Sequence, residues 1–417
     1  MRKWISMILF VSMMFAMAVS FGGCAHDVKA VDLMDDVEGT EVRIASDLTD
    51  GNAAVTDFAI RLFQASAEAE ENTLISPLSV LCALAMTANG AEGDTLSQME
   101  AVLGMSVDDL NSYIYSYVKS LPQGEKYKLR LANSIWFTED DRFTVQPEFL
   151  QINADYYGAD MYQAPFDQST VRDINNWVKE KTDEMIPKIL NEIPDNAVMY
   201  LINALSFDAE WQSIYEKYQV QDGIFTLADG AEKKAEFMHS EENYYLEDAQ
   251  ATGFIKYYKG GSYAFAALLP NQGVMVEEYV ASLTGEHISA LLEKPVAVPV
   301  YAAIPKFETE YSIEMSDVLA EMGMPDAFDI AAADFTGIGT SAAGNIYITK
   351  VLHKTFISVG EKGTKAGAVT VVAAGDGAAL EQEEPKTVYL DRPFVYMLID
   401  CENNVPFFIG TMMDVSK

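Results

Sequence analysis

The sequence predicts an α+β domain, and three observations carry that prediction. Apolar residues recur at helical spacing through the first half of the chain, while β-rich runs fill the second half from Val198 onward. The two kinds of element do not alternate, which argues against a parallel βαβ arrangement. No Gly/Ser- or Pro-rich linker and no internal repeat divides the 417 residues, so one continuous domain follows an N-terminal extension.

Taken in order, Val55, Phe58, Ala59, Leu62 and Phe63 mark a first amphipathic helix after Asp50-Gly-Asn52. Ser76-Pro77 places an N-cap before a first-turn proline, and the apolar run Val80–Met86 makes the next helix central. The stretch from Asn89 to Asp94 breaks it, and Thr95–Leu103 forms another helix that stops at Gly104. Leu129, Leu131 and Trp136 belong to a β-rich run, and Ile174–Leu190 reads as a helix with Pro187 near its end. Strands are expected at Val198–Phe207, Phe254–Tyr258, Tyr263–Leu269 and Val296–Ile304. A C-terminal hairpin joins Phe394–Ile399 to Pro406–Met412 across Glu402-Asn-Asn404. Tyr113, Tyr115 and Tyr117 read as packing residues.

The first residues have the form of an export signal, with Arg2 and Lys3 before an apolar run to Phe21 and then Gly22-Gly23-Cys24. Small residues before a cysteine resemble a lipobox, which implies a lipoprotein-type signal at 1–23 and a diacylated Cys24. The alternatives are an ordinary cleaved signal, with Cys24 incidental, and a single membrane anchor. Residues 24–50, carrying Asp35, Asp36, Glu38 and Glu41, read as an acidic flexible tether. Cys82 and Cys401 lie in apolar runs and are expected as buried free thiols. A formal charge of −35 argues against nucleic acid, polyanions and anionic membrane surfaces as partners.

Conventional catalytic and metal motifs, such as G-x-S-x-G, H-E-x-x-H, a Walker loop or C-x-x-C, do not occur. No cofactor or metal is implied. The segment Glu361–Leu380 is more informative. Its even positions Thr364, Ala366, Ala368, Thr370, Val372 and Ala374 are small or β-branched and uncharged, whereas Lys365 falls on the other face. It contains no proline, yet it runs into Gly-Asp-Gly and an acidic stretch as an exposed loop would. A segment patterned as both loop and strand implies two states.

Flanking it are Ile348–Val359, Asp391-Arg-Pro-Phe394 and Pro406–Gly410; earlier come Asn72–Ser79, Leu131–Phe137, Leu201–Ala204 with Phe207 and Trp211, and Ala333–Ile338. Together, in their order along the chain, these segments resemble the serpin family from about Ala53 to the C-terminus. The resemblance implies a serpin fold of three β-sheets and eight or nine helices, in one domain over 51–417 with an exposed reactive-centre loop at about 361–390. It implies a hinge at Glu361, Gly363, Thr364, Ala366, Gly367 and Ala368, and an insertion face continuing through Thr370, Val372 and Ala374. It also implies a shutter of Ser76, Ser79, Asn203 and His353, and a breach tryptophan, Trp211. Counting from the hinge puts the scissile bond at Gly377–Ala378; counting back from Pro393-Phe394 gives Gln382.

The resemblance thus implies a suicide-substrate inhibitor of serine proteases rather than an enzyme. The window Val372–Leu380 has no Arg or Lys, so an elastase- or subtilisin-like target with a small apolar pocket is expected. Ser106–Leu121, where some serpins bind heparin, carries Asp108, Asp109 and one lysine, and no heparin cofactor is expected. An exported monomer held at the membrane only by its lipid completes the expectation. Two alternatives remain: a non-inhibitory carrier with the same fold, and a hydrolase using His353.

Overall fold

The computed structural model describes residues 30–139, 143–194, 196–342, 344–364 and 384–416. Strand β1 (Val31–Asp32) leads to helix α1 (Thr49–Ser66), strand β2 (Thr73–Ile75) and helices α2 (Pro77–Ala88), α3 (Gly93–Leu103) and α4 (Val107–Ser120). Strands β3 (Tyr127–Thr138) and β4 (Phe143–Val145) precede α5 (Pro147–Tyr157), β5 (Asp160–Ala164), α6 (Gln168–Lys181) and β6 (Met199–Glu210). Then come β7 (Val220–Thr226), β8 (Glu232–Glu242), β9 (Tyr244–Glu247), β10 (Ala251–Tyr257) and β11 (Tyr263–Pro270), followed by α7 (Val276–Ser282) and α8 (Gly285–Glu293). The chain continues through β12 (Val300–Pro305), β13 (Phe307–Glu314), α9 (Ser316–Met322), β14 (Gly339–Ser341), β15 (Lys350–Gly360) and β16 (Gly363–Thr364). Strands β17 (Lys386–Tyr389), β18 (Phe394–Asp400) and β19 (Val405–Met412) end it.

Among the described residues three sheets form, with a short ribbon of β14 and β4 beside them. The main sheet has the order β1-β5-β3-β6-β16-β15-β13, the second β2-β19-β18-β11-β10-β9 and the third β17-β12-β8-β7. Helix α2 lies at the centre of the body. Its cap residue Ser76 accepts a hydrogen bond from the Ser79 N–H at 3.4 Å, Pro77 opens its first turn, and every residue in it is buried. Strands β18 and β19, also fully buried, form the expected hairpin. Tyr113 and Tyr117 are buried with their rings stacked at 5.6 Å.

Several elements depart from expectation for local reasons. Helix α6 begins earlier than Ile174, because the Asp167 side chain caps it by accepting from Ser169 and Thr170 N–H groups. It stops at Lys181, and Asp183 and Glu184 at positive φ turn the chain back. Ile186 and Leu190 still pack with Ile174 and Trp177, but from an irregular segment pinned by Asn175, whose Oδ1 accepts from Ile189 and Leu190 N–H groups. Strand β12 starts only at Val300, since Pro295 and Pro299 carry no N–H for a ladder. Cys82 is buried, whereas Cys401 is only half-buried; both are free.

The acidic N-terminal stretch is the larger correction. From Ala30 on it does not behave as a solvated tether but lies along the body. Strand β1 pairs antiparallel with the edge strand β5, and the Leu33 N–H continues to Met161 O at 2.8 Å. Farther along, Thr40 N–H donates to Asp155 Oδ1 at 2.6 Å, and Ala45 N–H to Ser116 Oγ at 2.8 Å. An unpaired sheet edge is a template for another strand. Leu33, Met34 and Leu48 supply apolar contacts, while Asp35, Asp36, Glu38 and Glu41 stay in water.

Candidate functional site

At the top of the main sheet, β15 reverses through Glu361 and Lys362 into β16. The pairs Val359↔Thr364 and Gly360↔Gly363 lie on one side of β16, and Ala209↔Thr364 and Glu210↔Gly363 on the other. The start of the loop is therefore already a rung between β6 and β15. Glycine is required at 363: its φ is +156°, and a Cβ there would sit 1.9 Å from Ala209 O.

The turn is held from one side by a short segment that follows β6. Trp211 N–H donates to Lys362 O at 2.8 Å, Trp211 Nε1–H to Gly360 O at 2.8 Å, and Tyr215 N–H to Glu361 O at 2.9 Å. Trp211 stacks on Tyr258 at 4.4 Å with an interplanar angle of 9°. The Tyr258 hydroxyl in turn shares a 2.5 Å hydrogen bond with the buried Thr364 Oγ1. Outside, Lys306 Nζ lies 2.5 Å from a Glu361 carboxylate oxygen and 3.0 Å from one of Glu236. The hydrogen bond from Lys306 holds the Glu361 carboxyl below its ordinary range.

Below this rung, β6 and β15 pair directly and in parallel only from Tyr200↔Lys350 to Asn203↔His353. Between the two zones, Lys354–Ser358 on β15 and Ala204–Asp208 on β6 face one another without a strand between them, among the described residues. The sheet is thus open above and zipped below. A cavity of about 1110 Å³, lined by Asp208, Tyr215, Lys217, Ser358, Glu361 and Gly363 among others, lies at the mouth of this gap.

The zip is polar at its upper end. The buried His353 lies with Nδ1 2.6 Å from Asn203 Oδ1, and its Nε2 accepts the Ser76 N–H at 3.0 Å. Accepting at Nε2 places the proton on Nδ1, which therefore donates to Asn203. Burial lowers the pKa of this imidazole to about 3, so it is neutral near pH 7. Neither ring nitrogen faces a hydroxyl or thiol, and the arrangement offers no nucleophile–base pair. The hydrolase alternative loses its one candidate base.

The family described as Serpin (serine protease inhibitor) matches residues 53–415. This chain belongs to the serpin family.

Its similarity to an uncharacterized serpin-like protein of Thermococcus kodakarensis is 31% identity over 369 residues, covering 87% of this chain and 85% of the relative. Leukocyte elastase inhibitor of Homo sapiens is 29% identical and covers 86% of this chain and 98% of its own length. Among solved structures, the thermophilic serpin tengpin in its native state is 51% identical, with a TM-score of 0.88 over 93% of this chain and all of that one. Tengpin in its latent state superposes less well, at 0.78 over 90% of this chain. Serpins are in general protease inhibitors and target serine proteases rather than catalysing a reaction.

In this serpin, Glu361, Gly363 and Thr364 form the turn and first rung, Trp211 packs beneath them, and Ser76, Ser79, Asn203 and His353 meet at the zip. Ala366, Gly367, Ala368, Thr370, Val372, Ala374, the scissile pair Gly377–Ala378, and Cys24 lie outside the described residues. Tyr258 and Lys306 were missed from sequence. A Tyr-Tyr pair ending a strand and a lysine after a proline carry no local signal; only the fold brings them to the hinge.

Proposed function

We propose that this serpin is a suicide-substrate inhibitor of serine-type endopeptidases. A protease attacks the loop, expels the new amine and is left as an ester on the loop's N-terminal part. That part then enters the main sheet as a strand and carries the protease with it before water completes hydrolysis. The observation that carries the proposal is the open seam with Gly363–Thr364 seated at its mouth.

Continuing the register of Val359↔Thr364 and Ala209↔Thr364 would set Ala368 between Thr355 and Leu205. Thr370 would come level with both His353 and Asn203. Thr364 points inward, so parity would turn Ala366, Ala368, Thr370, Val372 and Ala374 inward as well. New ladder hydrogen bonds give a net ~0.5–1.5 kcal/mol each, and ordering a residue costs roughly 1–2 kcal/mol. Those terms nearly cancel. Side-chain burial and closure of the open seam must supply the drive, which is why a small, uncharged inner face matters.

The loop's small aliphatic residues favour an elastase- or subtilisin-like target, with Gly377–Ala378 as the scissile bond. We propose further that the protein is exported, anchored through a lipidated Cys24, acts as a monomer and needs no heparin. Incubation with a panel of serine proteases tests the reading: an SDS-resistant complex is expected with a protease of small apolar specificity. Mass spectrometry of the released C-terminal fragment should place the cut between Val372 and Leu380. Cleavage after a basic residue would overturn the specificity, and the absence of any covalent complex would favour the non-inhibitory carrier.

A further inference from the structure

Behind the hinge lies a buried charge that nothing in the inhibitory reading uses. Lys256, on β10 of the second sheet, is 2% exposed. Its Nζ is 2.7 Å from Glu242 Oε1, on β8 of the third sheet. The same carboxylate oxygen accepts the Ser240 hydroxyl at 2.6 Å, and Tyr215 OH lies 3.3 Å from Ser240 Oγ. The ammonium also sits 4.4 Å from the Tyr215 ring centroid and 5.4 Å from that of Trp211, both in the segment leaving the main sheet. The second sheet, the third sheet and the segment leaving the main sheet therefore meet at one ammonium, beside the two residues whose N–H groups hold the carbonyls of Gly360, Glu361 and Lys362.

A buried ion pair is an expensive way to fill space, since apolar residues of the same volume usually serve stability as well or better. Its advantage is direction: a cation fixes the rings it faces, and its carboxylate partner fixes the cation. Burial alone would pull the lysine pKa down, but Tyr215 and Glu242 outweigh it and the group remains charged. We propose that Lys256 is a positioning residue for the loop hinge, holding Trp211 and Tyr215 so that their donors fix the turn from which the inserting strand takes its register. The hinge geometry stands by itself; the consequence for inhibition rests on the function proposed above.

The test compares the wild type with the double variant Lys256→Met/Glu242→Gln, which leaves no unpaired buried charge, and with Lys256→Arg. Two quantities are read: hydrogen exchange of a peptide spanning residues 209–216, and the stoichiometry of inhibition of an elastase-like protease. Positioning predicts faster exchange confined to that peptide and a several-fold higher stoichiometry in the double variant, with both restored in part by Lys256→Arg. Unchanged exchange overturns the proposal whether or not the wild type inhibits anything. Faster exchange with unaltered stoichiometry in an active inhibitor reduces the pair to scaffolding and overturns the role in insertion. If the wild type forms no complex at all, the inhibitory reading fails, and the exchange result still decides whether Lys256 holds the hinge.

Discussion

His353 is the side chain whose chemistry can be read most directly in solution. Unfolded, its imidazole takes a proton below pH 6.5; folded, it resists until about pH 3. The unfolded state thus binds more protons throughout that window, so stability rises with pH there and falls on acidification. The slope is ~1.4 kcal/mol per pH unit below pH 6.5. Chemical denaturation at a series of pH values should show that slope in the wild type, with the His353 share missing from His353→Gln; parallel curves would contradict the assignment. Gly363 gives a second test. Gly363→Val drives a side chain toward Ala209 O, so the rung must leave the sheet and a larger fraction of loops should be cut without trapping the protease. An unchanged stoichiometry of inhibition would mean that the rung is dispensable. His353 and Trp211 were legible in the sequence because rare residue types sit in distinctive segments. The Lys256–Glu242 pair was not, because a lysine and a glutamate in separate strands carry no sign that folding will bury both.

Among the elements, β15 and β6 matter through what lies between them. Among the described residues, their seam is open from Lys354 to Ser358 and closed from His353 down. An entering strand would meet its first real barrier at the Asn203–His353 contact. Asn203→Ala removes the acceptor of a buried N–H and half of that zip. The variant should melt lower when intact and pass more readily into the inserted form on mild heating, as followed by loss of inhibitory activity. Slower inactivation would contradict a zipped seam. Ala368→Glu acts from the other side by carrying a charge toward the interior between Thr355 and Leu205. The cost of burying it far exceeds one hydrogen bond, and inhibition should give way to simple cleavage, with stoichiometry up by about tenfold or more. Retained inhibition would mean that this residue does not enter the sheet. The small, alternating pattern from Thr364 to Ala374 is legible in the sequence because strand parity is local, and beyond Thr364 it lies outside the described residues. The N-terminal strand was not: an acidic surface hides the few apolar residues Leu33, Met34 and Leu48, and its partner β5 lies far along the chain.

For the molecule as a whole, the α+β class was legible from the segregation of helices and strands, and the serpin family from a set of collinear segments. The order of strands within each sheet was not, because register between distant strands leaves no trace in either segment. What the whole fold adds is a main sheet that, among the described residues, has no strand between β6 and β15 from Lys354 to Ser358. On the function proposed above, the strand that completes it would come from the loop of the same chain, and the intact protein would rest in an arrangement that cleavage of the loop allows it to leave. The most direct measurement is thermal melting of intact protein beside protein nicked once in the loop by a protease it does not trap. The account predicts a large rise in melting temperature for the nicked form, with both fragments still associated. Equal or lower melting of the nicked form would contradict it.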